Sequence, residues 1–93
     1  MVVASQTWEL SLPGCSSLKE KRTVVRSLKD RLSHKFNVSV AEVDAQNLWQ
    51  RCVIGIAYVS NETVMINKVF EKIRTLVLSY HSVELIDSTM ELL

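Results

Sequence analysis

SLKEKRTVVRSLKDRLSHKF, residues 17–36, is the longest periodic run in the chain, and the segments on either side of it read as strands. At 3.6 residues per turn, Leu18, Val25, Leu28, Leu32 and Phe36 fall on one side with Val24 at the margin, the stripe expected of a helix lying on a core. Ser17, followed three residues later by Glu20, forms a capping box that starts the helix. His34 and Lys35 sit near the negative end of the helix dipole, and Asn37 is expected as a left-handed stop. The helix is therefore about five turns long.

Upstream, Val2 to Leu12 alternates with period two. Ala4, Trp8, Leu10 and Leu12 share one parity, broken by Gln6, and Ser5, Thr7, Glu9 and Ser11 take the other. Pro13-Gly14 ends that strand in a turn. Downstream, the Val-rich Asn37 to Val43 reads as a second strand, followed by a polar connection at Asp44 to Asn47. Gln50 to Val59 is a third strand with apolar residues on both parities, Cys52, Ile54, Ile56 and Tyr58 against Val53, Ala57 and Val59, which marks a central strand. Ser60-Asn61-Glu62 supplies an N-cap for a second helix with Ile66, Val69, Phe70, Ile73, Leu76, Val77 and Tyr80 on its apolar side. Ser82 to about Leu92 closes the chain as a fourth strand.

The order β-α-β-β-α-β specifies an α+β, ferredoxin-like sandwich: a four-stranded antiparallel sheet with both helices on one face. Residues 1–93 form one such domain. The core is expected to hold Trp8, Leu10, Val25, Leu28, Leu32, Ile54, Ile56, Ile66, Val69, Phe70 and Ile73. No helix covers the other sheet face, so Val53, Ala57 and Val59 are left for solvent or a second copy, and a dimer is the expected homo-oligomer.

Composition narrows the class. A chain that is 47% hydrophobic and 23% charged with few Gly and Pro is ordinary for a globular domain. No leader pattern and no apolar run of membrane-spanning length is visible, so a cytoplasmic protein with no membrane association is expected. Cys15 and Cys52 make neither a disulfide framework nor a C-x-x-C pair and are expected as free thiols in a reducing compartment.

Charge is unevenly distributed. Residues 16–36 hold seven Lys/Arg against Glu20 and Asp30, a local charge of +5, which leaves −4 on the rest of a chain whose net charge is +1. Lys19, Arg22, Arg26 and Lys29 follow at spacings of three and four and line one edge of the helix. Such a stripe is either a solvated helix face or an edge that tracks backbone phosphates. Lys21 falls on the apolar side, where its stem is expected to snorkel around the first turn. Trp49-Gln50-Arg51 places an indole, an amide and a guanidinium side by side. That trio suits stacking on a base and bonding its edge, whereas a Trp at a strand end otherwise serves as a lid on the core.

Three separated pieces, LPG-x-x-SLKEKR from Leu12, NVSVAEVD from Asn37, and LWQR from Leu48 followed by G-x-A-x-V-S from Gly55, resemble the small bacterial YlxP-like family over about residues 2–85. Cys15 and Asn47 depart from that pattern. The resemblance implies the same fold. It also implies an RNA or ribosome role by association, because members are often encoded among genes for translation initiation and ribosome maturation. It carries over no catalytic residues, since the family's function is unknown.

Enzymatic readings find little support in the residues. The loop after the first strand has one Gly and no Arg, unlike the phosphate loop of acylphosphatases. It has one Cys where copper chaperones need two. His34 and His81 lack ligand partners at metal spacing, and no Ser has a visible base. The expectation is a non-enzymatic binding module without catalytic residues, metal or cofactor. It would meet RNA or the ribosome through Lys19, Arg22, Arg26, Lys29, Trp49, Gln50 and Arg51; alternatively it would dimerise through its open sheet and meet an acidic protein partner.

Overall fold

The computed structural model describes residues 1–93 and contains, in chain order, β1 (Val2–Ser11), α1 (Leu18–Lys35), β2 (Ser39–Asp44), β3 (Arg51–Ser60), α2 (Thr63–Leu78) and β4 (Glu84–Leu92). The strands form one antiparallel sheet in the order β2-β3-β1-β4, the ferredoxin-like α+β arrangement. The doubly apolar β3 is central, as its composition predicts. Opposite one another in the β1–β3 ladder stand Ala4 and Tyr58, Gln6 and Ile56, Trp8 and Ile54, and Leu10 and Cys52. These pairs therefore lie on one face, since side chains alternate along a strand.

That face carries the core. Ala4, Trp8, Leu10, Cys52, Ile54 and Ile56 from the sheet meet Val25, Leu28 and Leu32 of α1 and Ile66, Phe70, Ile73, Leu76 and Val77 of α2, all buried. Of the expected core only Val69 is merely half-buried. Leu12, Cys15 and Val83 close it from the connections. Tyr58 meets Phe70 edge to face, with ring centroids 6.5 Å apart.

Several helix ends differ from expectation, each for a local reason. Ser17 Oγ accepts from the Glu20 backbone N–H at 3.1 Å as foreseen, but the Glu20 carboxylate turns to the backbone N–H and hydroxyl of Ser16, one residue earlier than a reciprocal box requires. These bonds favour the ionised form and hold the Glu20 carboxyl below the usual range. At the other end Asn37 is not the stop. Phe36 leaves α1 in extended conformation (φ −126°) with its N–H on Leu32 O at 2.9 Å, so no left-handed residue is needed. α2 is capped by Glu62 without a side-chain bond, while the Ser60 hydroxyl accepts from the Glu62 N–H. Tyr80 lies beyond α2, and its hydroxyl is 3.2 Å from that of Ser27 on α1.

The helix-free face is mixed. Val43 and Val59 are 54% and 55% exposed, and Val53 is half-buried. Gly55 leaves a shallow depression of about 290 Å³ between Thr7, Ala41, Val43 and Ala57, and Val43 leans over it. No helix is long and apolar enough to cross a membrane.

Candidate nucleic-acid interface

The cations of α1 divide into three sets according to where the helix turns them. Lys19, Arg22 and Arg26 are exposed, and Lys29, the last of the stripe, is half-buried. None of the four belongs to an ion pair: the two pairs in the structure are Lys21–Glu42 and Arg51–Glu9. The stripe thus keeps its charge for solvent or a partner.

Lys21 behaves differently from its sequence reading. Its stem does not snorkel outward. The side chain is 1% exposed, with Nζ 2.8 Å from Glu42 Oε2 and donating to Ala45 O at 2.6 Å. Position 21 lies within the apolar stripe of α1, and Glu42 points to the helix side of β2, so the two meet over the sheet. Ala45 itself has φ +58°, a left-handed conformation uncommon outside glycine. Its N–H is held by Asp44 Oδ1 at 2.7 Å, and its carbonyl accepts from Lys21 and from the Leu48 N–H. The bulge that shifts register between Glu42 and Asp44 sits immediately before this turn.

The turn presents Leu48 and Trp49 to solvent, 54% and 52% exposed. Trp49 is therefore no core lid; Trp8, fully buried, is the tryptophan of the core. Asn47 to Arg51 line an open hollow of about 420 Å³ whose surface is mainly apolar. Gln50 is engaged: its amide Nε2 donates to Cys15 O at 3.1 Å and Pro13 O at 3.4 Å, which braces the β1–α1 connection. Arg51 pairs with Glu9 on the helix-free face, both partners part-exposed, and a pair of that kind exchanges readily with another anion.

These bonds bring the sequence-distant candidates together. Lys21 ties the Trp49 turn to the first turns of α1, and Gln50 ties it to the loop that precedes α1. The Trp49 turn and the first turn of α1 are thus tied together, while the Arg51 guanidinium lies with Glu9 on the helix-free face. Sequence reasoning missed the Lys21–Ala45 tether. Its signal was a lysine inside an apolar helical stripe opposite a carboxylate on the core parity of β2.

Neither thiol offers a ready nucleophile. Burial, with the Glu42 carboxylate next in effect, pushes the Cys52 thiol up to about 12, and burial followed by Glu20 raises Cys15. No three His, Cys, Asp or Glu side chains converge in a way that would hold a metal ion. His34 bonds Asp30 O through Nδ1 at 2.7 Å within its own helix.

The model of a family described as "Protein of unknown function (DUF503)" matches residues 3–90. Over 68 residues the chain is 40% identical to "Uncharacterized protein YlxP" of Bacillus subtilis (strain 168), covering 73% of this chain and 74% of that protein.

Proposed function

Because the chain belongs to the DUF503 family, whose description names no activity, its role rests on its own residues, and we propose a non-enzymatic module that binds RNA, free or within the ribosome. Backbone phosphates lie along Lys19, Arg22, Arg26 and Lys29, and a base stacks on Trp49 beside Arg51. The observation that supports this reading is the tether of the turn that carries the half-exposed Trp49 to the first turn of α1 through Lys21 and Ala45, beside a stripe whose four cations are in no ion pair. An exposed aromatic combined with a row of free cations is the arrangement that proteins use to hold single-stranded nucleic acid. Base stacking works through one indole here and not through a sheet platform, since Tyr58 faces the helices.

The test is fluorescence anisotropy of a labelled single-stranded RNA as salt is raised from about 50 mM. With four phosphate contacts, log affinity falls against log salt with a slope no steeper than about −3. The double variant Arg22→Glu/Arg26→Glu should lose binding while keeping its melting temperature. No binding at low salt, or binding unchanged in the double variant, would sink this reading.

A second reading is favoured by Val43 and Val59, each more than half exposed on the helix-free face. It is self-association through that face, with the cationic edge left to meet an acidic protein partner. Sedimentation equilibrium showing nothing heavier than the 10.6 kDa protomer at tens of micromolar would remove it.

A further inference from the structure

The remaining cations of α1 face the other way. At 100° per residue, Arg31 and Lys35 lie on the flank of α1 turned toward α2, across the helix from the Lys19–Lys29 stripe. Two contacts confirm the direction: the Arg31 guanidinium stands 5.4 Å over the Tyr80 ring, and Ser27, on the same flank, meets the Tyr80 hydroxyl. By the same helical angle the stripe lies about half a turn round α1 from this seam.

Between the two helices lies a cleft of about 380 Å³ lined by Arg31, Lys35, Lys72, Thr75, Leu76 and Ser79. No carboxylate lines it, and none of its three cations is in an ion pair. Helix ends explain only part of this. Lys35 in the last turn of α1 offsets that helix's dipole, but Lys72 stands six residues before the end of α2, beyond the reach of the terminal dipole. Like charges gathered across a helix seam oppose the packing that brings them there. An anion seated among them reverses the sign of that term.

The donors available define the ligand. Thr75 Oγ1 already donates to Glu71 O at 3.2 Å and Ser79 Oγ to Leu76 O at 2.5 Å, so neither hydroxyl has a proton to give. Recognition falls to a guanidinium preordered on Tyr80 and two ammonium groups, a set that suits a multiply charged phosphate better than a carboxylate or a neutral group. We propose that the α1–α2 cleft is a phosphate-binding site, separate from the α1 stripe and independent of the RNA reading. It takes phosphate groups, supplied by a free oligophosphate or by the backbone of a nucleic acid.

The experiment is a titration of the ¹⁵N-labelled protein with inorganic pyrophosphate at constant ionic strength, followed through backbone amide shifts. Arg31→Gln/Lys72→Gln and the stripe pair Arg22→Gln/Arg26→Gln are run in parallel, and melting curves confirm that both fold. The expected result is shifts centred on residues 31–35 and 72–79, with affinity lowered roughly tenfold or more in the cleft pair and unchanged in the stripe pair. A second arm adds single-stranded oligouridylate. Displacement of pyrophosphate supports the site with a nucleic-acid backbone as source, and failure to displace supports it with a free oligophosphate as source. Shifts spread over all Lys and Arg segments, or equal affinity in the cleft pair, would overturn the proposal.

Discussion

Lys21 Nζ lies 2.8 Å from Glu42 Oε2, with Lys21 sealed at 1% exposure and Glu42 at 18%. The two ends of this pair therefore depend on it unequally. If Glu42 is neutralised, a sealed ammonium loses its counter-charge and keeps only neutral acceptors; if Lys21 is removed, the buried Glu42 Oε2 loses its partner, but on a side chain that is 18% exposed. Glu42→Gln should cost about 3 to 5 kcal/mol, the range for orphaning a buried charge. Lys21→Met should cost less, about 1 to 3 kcal/mol. Lys21→Met/Glu42→Leu should be milder than the sum of the singles, because neither charge is left behind. Urea denaturation of the four proteins reads this directly, and additive losses would show that the two side chains are uncoupled.

Leu28 is 1% exposed at the centre of the α1 stripe that meets the sheet. Leu28→Ala should cost about 2 to 5 kcal/mol, the transfer term plus a cavity in a packed seam. A loss below about half a kilocalorie, the range of a surface substitution, would place that face of α1 in solvent.

Much of this fold is legible in the residues because burial imposes a period. The stripe Val25-Leu28-Leu32 and the even-numbered row Trp8-Leu10 name their own faces, and β3 announces its central place by being apolar on both. Gln6, which interrupts that row, is the half-buried exception, with Oε1 lacking a partner. What stayed hidden depends on pairing across the chain. Lys21 reads as a snorkelling lysine until β2 brings Glu42 over it. Trp49 is ambiguous between lid and contact because strand-end position sets no period, and only its exposure of 52% in the folded chain decides that it faces out. Arg31 and Lys35 look like two more members of one basic helix until α2 places Lys72 across from them.

Cys52 ties pH to stability through burial. Its thiol has no exposed surface, and desolvation, then Glu42, raises its pKa from 9.0 to about 12. The folded state thus holds this proton more tightly than the unfolded state. The sign follows: the contribution is complete below pH 9 and is lost as pH rises from 9 toward 12, at up to about 1.4 kcal/mol per pH unit where only the unfolded thiol has ionised. Comparing the alkaline arms of the stability profiles of wild type and Cys52→Ala isolates this group, and the variant's arm should be shallower. Parallel arms would contradict it. In the native protein at pH 8 both thiols should also react slowly with a disulfide reagent and promptly once urea is added.

Trp49 separates the functional reading from the structural one, because the two tryptophans differ so sharply in exposure. Iodide or acrylamide should quench the Trp49 emission in the folded protein and leave that of Trp8 largely untouched, since Trp8 is fully buried. Trp49→Ala removes a side chain that is 52% exposed, so stability should change by no more than about 0.5 kcal/mol. If the indole stacks on a base, the same variant should bind single-stranded RNA about 1 to 3 kcal/mol more weakly while its salt slope stays that of wild type, because no phosphate contact has been removed. Lys21→Met should give a related but distinct result. It releases the Ala45 carbonyl and loosens the turn, so affinity should fall even though Trp49 is intact and the lost charge never reached solvent. An equal loss in Trp49→Phe and Trp49→Ala would argue against stacking, since phenylalanine keeps an aromatic face. A loss in Trp49→Ala accompanied by a drop in stability of several kilocalories would return the indole to the core and leave the phosphate edge of α1 as the whole of the interface.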